Sequence, residues 1–146
     1  MFTYSFTDVS MIISHPDVGQ YTATGEGTSS INVAMTTDRT VHDIAADSTV
    51  MISKVPGRNG TITVMAQQSS NLHAWLLKWH NYVEAAPTNR WALASIIIHA
   101  PEMGDLLIAN NVSPQKLPDR PYQAQGQNVT WTLLAADIQQ ESTKVV

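Results

Sequence analysis

The segment 61–86 constrains the fold more than any other part of the chain. The alternation Thr61-Ile62-Thr63-Val64 predicts a strand, which passes through Gln67-Gln68-Ser69-Ser70 directly into a strongly amphipathic helix. Within that helix Leu72, Trp75, Leu76, Trp79 and Val83 recur at helical spacing, and Lys78, Asn81 and Glu84 occupy the opposite side. Ser69 or Ser70 supplies an N-cap and Pro87 ends the run, so the helix is expected over about residues 70–85. Burying side chains of this size is worth roughly 1.5–3 kcal/mol each, so this packing face must lie against a sheet or a neighbouring subunit. Everything else reads as short Ser/Thr-rich strands. The sequence therefore predicts a mainly β fold carrying one α-helix.

A chain of 146 residues fits one domain, 1–146, with enough length to bury a core without covalent staples. It has no cysteine, which excludes disulfides, a thiolate nucleophile and Cys-ligated metal centres. Only 14% of residues are charged and the net charge is −4, so Ser, Thr, Asn and Gln supply most of the surface polarity. An acidic, lysine-poor chain lacks the clustered cations that tight nucleic-acid binding requires. The start, Met1-Phe2-Thr3-Tyr4-Ser5, has no basic region followed by an apolar run, and no window resembles a membrane span. The expectation is a soluble protein without a membrane partner.

Residues 2–13 read as a strand, and 14–30 read as a long loop around His15-Pro16-Asp17, Gly19, Gly25 and Gly27. Further strands are expected at 31–37, with Ile31, Val33 and Met35 on one face, and over 41–55 with an interruption at Ala46-Asp47-Ser48. The turn signal Pro56-Gly57-Arg58-Asn59-Gly60 suggests that 49–54 and 61–67 pair as an antiparallel hairpin, with Ile62, Val64 and Ala66 facing the core. Beyond the helix, strands are expected at 91–99, 105–109 and 128–138, the last with Val129, Trp131 and Leu133 inward. Pro114, Pro118 and Pro121 favour an extended connection before it, and 139–146 reads as a flexible tail.

No catalytic constellation emerges. His73 and His80 lie two turns apart on one helix, which is not the i, i+3 or i+4 spacing of helical metal ligands, so both read as surface or interface histidines. Asp38, Asp43 and Asp47 define no acid–base pair, and Gly25-Glu26-Gly27 is a fragment of a dinucleotide motif that opens no helix. No cofactor, no metal and no enzymatic activity are expected. Trp75, Trp79 and Trp131 fall on apolar faces; only Trp91 is left for a sugar platform, so a carbohydrate-binding module is a minority alternative.

Several local motifs in this order resemble the tail-tube proteins of contractile-tailed bacteriophages, a set that extends to type VI secretion tube proteins. They are Tyr4-Ser5-Phe6-Thr7-Asp8-Val9-Ser10, the Gly25-Glu26-Gly27 loop, Ile44-Ala45-Ala46-Asp47-Ser48-Thr49-Val50-Met51, Gly60-Thr61-Ile62-Thr63-Val64, Ser69-Ser70-Asn71-Leu72 and Lys116-Leu117-Pro118-Asp119. Family members commonly place Gly near the Asp47-Ser48 turn, where this chain has Ala46 and Ser48, and the Pro56-Gly57 pair also departs from the pattern. The resemblance implies an antiparallel β-sandwich or half-open barrel flanked by the helix. It further implies hexameric rings stacked into a hollow tube inside a contractile sheath, with sheath, baseplate and tape-measure proteins as partners. Viral DNA would pass through without specific binding, and the protein would reside in the virion tail after assembly in the host cytoplasm. A secretion-system tube subunit is the alternative of the same architecture. Open sheet edges and head-to-tail contacts suit a ring. On this reading Asp38, Asp43 and Asp47 are expected at the lumen or its rim. Tyr21, Gly25, Glu26, Gly27, Arg58 and Asn59 are candidate inter-subunit residues.

Overall fold

A computed structural model describes residues 3–142. Nine strands and one α-helix follow in the order β1 (Ser10–His15), β2 (Gly19–Ala23), β3 (Thr28–Met35), β4 (Thr40–Ile44), β5 (Val50–Lys54), β6 (Gly60–Gln67), α1 (Asn71–Ala85), β7 (Ala94–Ala100), β8 (Asp105–Pro114) and β9 (Asn128–Ser142). Seven strands form one antiparallel sheet in the order β2-β1-β7-β8-β9-β6-β3, curled into a half-barrel with β2 and β3 as its open edges. The other two, β4 and β5, pair only with each other. The fold is thus mainly β with a single helix, as the residue pattern predicts.

The two periodicities build the core. Ile62, Val64 and Ala66 from β6 and Val129, Trp131 and Leu133 from β9 are buried on one sheet face, in the alternation expected of half-covered strands. Helix α1 covers that face with Leu72, Leu76, Trp79 and Val83, all buried, and Trp75 packs against them half-buried. The Ser70 hydroxyl accepts the His73 N–H at 3.2 Å and caps the helix start.

The structure corrects several expectations. Residues 14–30 are not a loop: they complete β1, turn at Gly19 (φ +105°), form β2 and enter β3. Strand β2 has no signature in the sequence, because an edge strand that buries only Ala23 has no apolar alternation to read. The expected hairpin between 49–54 and 61–67 does not form. Instead β5 pairs with β4 across the Ala46-Asp47-Ser48 turn, and β6 lies between β3 and β9. Pro56 and Gly57 run along as a connector, and the Arg58 carbonyl accepts the Ile138 N–H at 2.8 Å. The first strand begins only at Ser10, after a short 3-10 turn at Phe6–Asp8, and the strand expected from Trp91 begins at Ala94. On β3, Ile31 and Val33 are half-buried while Met35 is exposed, as suits an edge. The supposed tail is ordered through Ser142 as the end of β9, paired with β8; positions 143–146 lie outside the described residues.

Candidate assembly surfaces

The hairpin β4–β5 stands apart from the rest of the molecule. Every residue of both strands is exposed, including Val41, Ile44, Val50, Met51 and Ile52, the last at 67%. Its register places His42 opposite Ile52 and Ile44 opposite Val50, so one face of this arm carries Ile44, Val50 and Ile52 together. A two-stranded ribbon is marginal in water by itself, and this one has an apolar face with no core of its own beneath it.

The turn at its tip is built from short polar contacts. Thr49 donates its N–H to the Asp47 carboxylate at 3.0 Å, Ala45 donates to the Thr49 carbonyl at 2.8 Å, and Ser48 adopts a left-handed φ of +70°. Hydrogen bonds from Thr49 hold the Asp47 carboxyl below the usual carboxylate range. Asp43 sits mid-strand on β4, and Asp38 lies where the chain enters the arm; both are exposed. The three acids expected at a lumen or rim are therefore all on the arm or at its base, and they do not converge on a site. Among the described residues, no group of three or more His, Asp or Glu side chains is arranged to hold a metal ion.

The candidate inter-subunit residues have defined places within the fold. Tyr21 on β2 stacks at a tilt on Trp75, with 6.4 Å between ring centroids. Burial and the nearby Glu26 carboxylate raise its hydroxyl above the ordinary tyrosine range. Gly27 (φ +70°) presses against the helix cap, where an added Cβ would come within 2.5 Å of the Ser70 Cβ, so this glycine serves the packing of its own chain. Gly25 faces the Thr7 backbone, whereas Glu26 is exposed. Arg58 pairs with Asp137 at 2.8 Å, and Asn59 accepts the Thr37 hydroxyl at 2.6 Å. These two contacts brace the base of the arm.

The face of the sheet opposite α1 is the second notable surface. Cross-strand rows on it read Asn32–Thr63–Thr132 and Ser30–Met65–Thr130 over β3, β6 and β9. Over β1, β7 and β8 the corresponding row is Ile12–Ile97–Ile108. None of the seven strands contains a Lys or Arg; the basic residues sit on the arm, the helix, the connections and the C-terminus. Of the sheet's own carboxylates, Asp105 and Glu141 lie at one end of the β8–β9 pair and Asp137 lies further along β9, opposite Asn110. This distribution was hidden in the overall charge, because which residues share a surface depends on the register of the sheet.

The histidines of the helix are also placed differently from expectation. His73 and His80 are not at the surface: both are buried against the Trp131 ring, with centroid distances of 5.9 and 6.3 Å. Their spacing of two turns puts them on one side of α1, and their burial follows from the bulk of Trp131 rising from β9 beneath them. Trp91, unassigned in the sequence, packs half-buried against the core, and no tryptophan platform stands open to solvent.

Known structures share this architecture. A chain of the anti-feeding prophage (AFP) baseplate, 6-fold symmetrised, superposes with a TM-score of 0.65 at 9% identity, covering 99% of each chain. A chain of the AFP tube-terminating cap gives 0.59 at 13% identity, covering 98% of this chain and 93% of that one. A chain of the PVC sheath-tube complex, from an extracellular contractile injection system in the extended state, gives 0.56 at 14% identity, covering 91% and 88%. No curated protein sequence matches. At these identities the likeness is one of fold. At the level of sequence, residues 1–142 match the family described as bacteriophage PhiTE tail tube protein, and this chain belongs to that family.

Proposed function

We propose that this protein is the structural subunit of the inner tube of a contractile tail, assembling by head-to-tail contacts into hexameric rings that stack into a hollow conduit for the viral genome. The observation that carries this reading is the β4–β5 arm: an apolar hairpin, exposed along its whole length, makes sense when a neighbouring copy covers it. The open edges β2 and β3 add unpaired backbone groups at opposite sides of one sheet, a geometry suited to closure by adjacent subunits. The exposed sheet face without Lys or Arg suits the wall of a bore, since a polymer of phosphates slides past where no cation can hold it. In this arrangement Asp38, Asp43 and Asp47 border the bore on the arm, and Tyr21, Gly25 and Glu26 lie beside the β2 edge where a neighbour would pack. Sheath, baseplate and tape-measure proteins are the partners of such a tube, which would place the subunit in the virion tail after assembly in the host cytoplasm.

A secretion- or injection-system tube subunit, differing in what passes through the bore, is the second reading, in keeping with the extracellular contractile injection system to which one structural neighbour belongs. Both readings share the assembly step, which electron microscopy tests. Purified protein at rising concentration, with and without baseplate nuclei, is expected to give annular end views and striated hollow rods. The double variant Ile44→Asp/Ile52→Asp is expected to remain folded and unassembled. A wild-type protein that stays monomeric even with nuclei present would overturn the proposal. DNA inside filled tails would separate the phage reading from the injection reading.

A further inference from the structure

The buried contact between α1 and β9 contains a titratable group that neither tube assembly nor the bore uses. His73 is 4% exposed, and its Nδ1 lies 3.0 Å from Nε1 of the buried Trp131. The indole nitrogen can only donate, so Nδ1 must be the acceptor, and the neutral ring carries its proton on Nε2. That Nε2 is itself buried without a hydrogen-bond partner among the described residues. Hence the ring has no exposed position at which to take up a second proton while α1 stays docked.

We propose that His73 is an acid-sensitive latch: a proton added at Nδ1 breaks the bond from Trp131 and weakens the docking of α1 on the sheet. The balance is simple. One proton enters from solvent, the Nδ1 lone pair becomes an N–H, and that N–H meets the indole N–H, so two donors oppose each other across a dry contact. Among the described residues, the charge acting on this ring is Arg120, a cation, rather than a carboxylate. On its own helix stand His80, buried on the same indole, and the exposed Glu84, whose carboxylate lies 3.8 Å from His80 Nδ1. The connection between β8 and β9 contributes Arg120, a like charge, held near by the Gln68 side chain donating to the Pro121 carbonyl at 2.8 Å. Strand β6 contributes no titratable group, and the acids of β9, Asp137 and Glu141, lie toward its far end. On β2, Tyr21 packs on Trp75. Burial first and Arg120 second lower the His73 pKa from its ordinary value.

The sign follows from linkage. A histidine harder to protonate in the folded state leaves stability intact above about pH 6.5, and that stability falls as the pH drops through the unfolded value toward the lowered folded one. Each pH unit in that window raises the unfolding equilibrium constant up to about tenfold for this one group. At the subunit level, mild acid would therefore weaken the docking of the helix that buries Trp79 and Trp131.

The test is denaturant unfolding of the full chain between pH 8 and pH 4, followed by tryptophan emission. His73→Asn keeps an acceptor close to the Nδ1 position but does not titrate. The acid-side slope of stability against pH is expected to lose about one proton in this variant, and an unchanged slope would overturn the proposal. Should the variant fail to fold, long-range 1H–15N spectra of the wild-type imidazoles decide the matter. An Nδ1 that is unprotonated at pH 7 and gains its proton together with a red shift of tryptophan emission supports the latch. An Nδ1 already protonated at pH 7, or one that gains a proton with emission unchanged, overturns it.

Discussion

Arg58 and Asp137 form an ion pair at 2.8 Å that fastens the return connection of the arm to the last strand of the sheet. The backbone repeats the link, with Ile138 N–H donating to the Arg58 carbonyl at 2.8 Å. The pair sits where a free-standing ribbon meets a rigid sheet, so it controls the direction in which the arm leaves the subunit. Because both side chains are partly exposed, at 49% and 29%, the ion pair itself is worth at most about 0.5–1 kcal/mol.

Arg58→Ala should accordingly lower the melting midpoint by only about 2 °C, an effect that calorimetry can resolve for a domain of this size. Its larger effect should fall on assembly, with fewer or shorter tubes at equal protein concentration in electron micrographs. Asp137→Asn should behave similarly, and the double variant should add little to either single change, which a double-mutant cycle will show.

Gly60→Ala should be far more damaging to the subunit. A Cβ at this position would lie 2.6 Å from the Ala34 carbonyl oxygen and 2.6 Å from Cδ1 of Ile138, between two strands already in register with β6. Overpacking of this kind costs about 1–3 kcal/mol. Urea unfolding should show an earlier midpoint with an unchanged slope.

At the tip of the arm, Ser48→Gly should stabilise the turn. Ser48 holds a left-handed φ of +70°, where a side chain is strained and glycine is not. The gain in local closing free energy, offset by the greater freedom of glycine when the turn opens, should be about 0.5 kcal/mol. Amide exchange at Ala45, whose N–H donates to the Thr49 carbonyl, should slow by roughly a factor of two.

Much of this fold was legible because two periods are written into the residues. Ile62, Val64 and Ala66, Val129, Trp131 and Leu133, and the helix stripe from Leu72 to Val83 declare their buried faces by spacing alone. Ser70 and Pro87 bracket the helix by backbone chemistry that acts over one turn. Those are local properties, and sequence fixes local properties well. The edge strand β2 was not legible, because a strand burying one residue of five has no period to display. The pairing of β5 is not legible for a related reason: a proline-glycine turn signal competes with the quieter Asp47-Ser48 turn, and pairing is decided by which partner each strand finds in the folded chain.

The sequence by itself determined that the chain is a cysteine-free, lysine-poor β protein with one helix, and which faces of β6, β9 and α1 turn inward, since those follow from composition and period. Only the tertiary structure decided that Ile44, Val50 and Ile52 share one uncovered face, that seven strands without a Lys or Arg form one surface, and that His73 packs against Trp131. These are relations between residues far apart in the chain. They exist only once strand register and helix docking bring distant positions together, and the packing energy that selects that register is shared among many residues and visible in no single one.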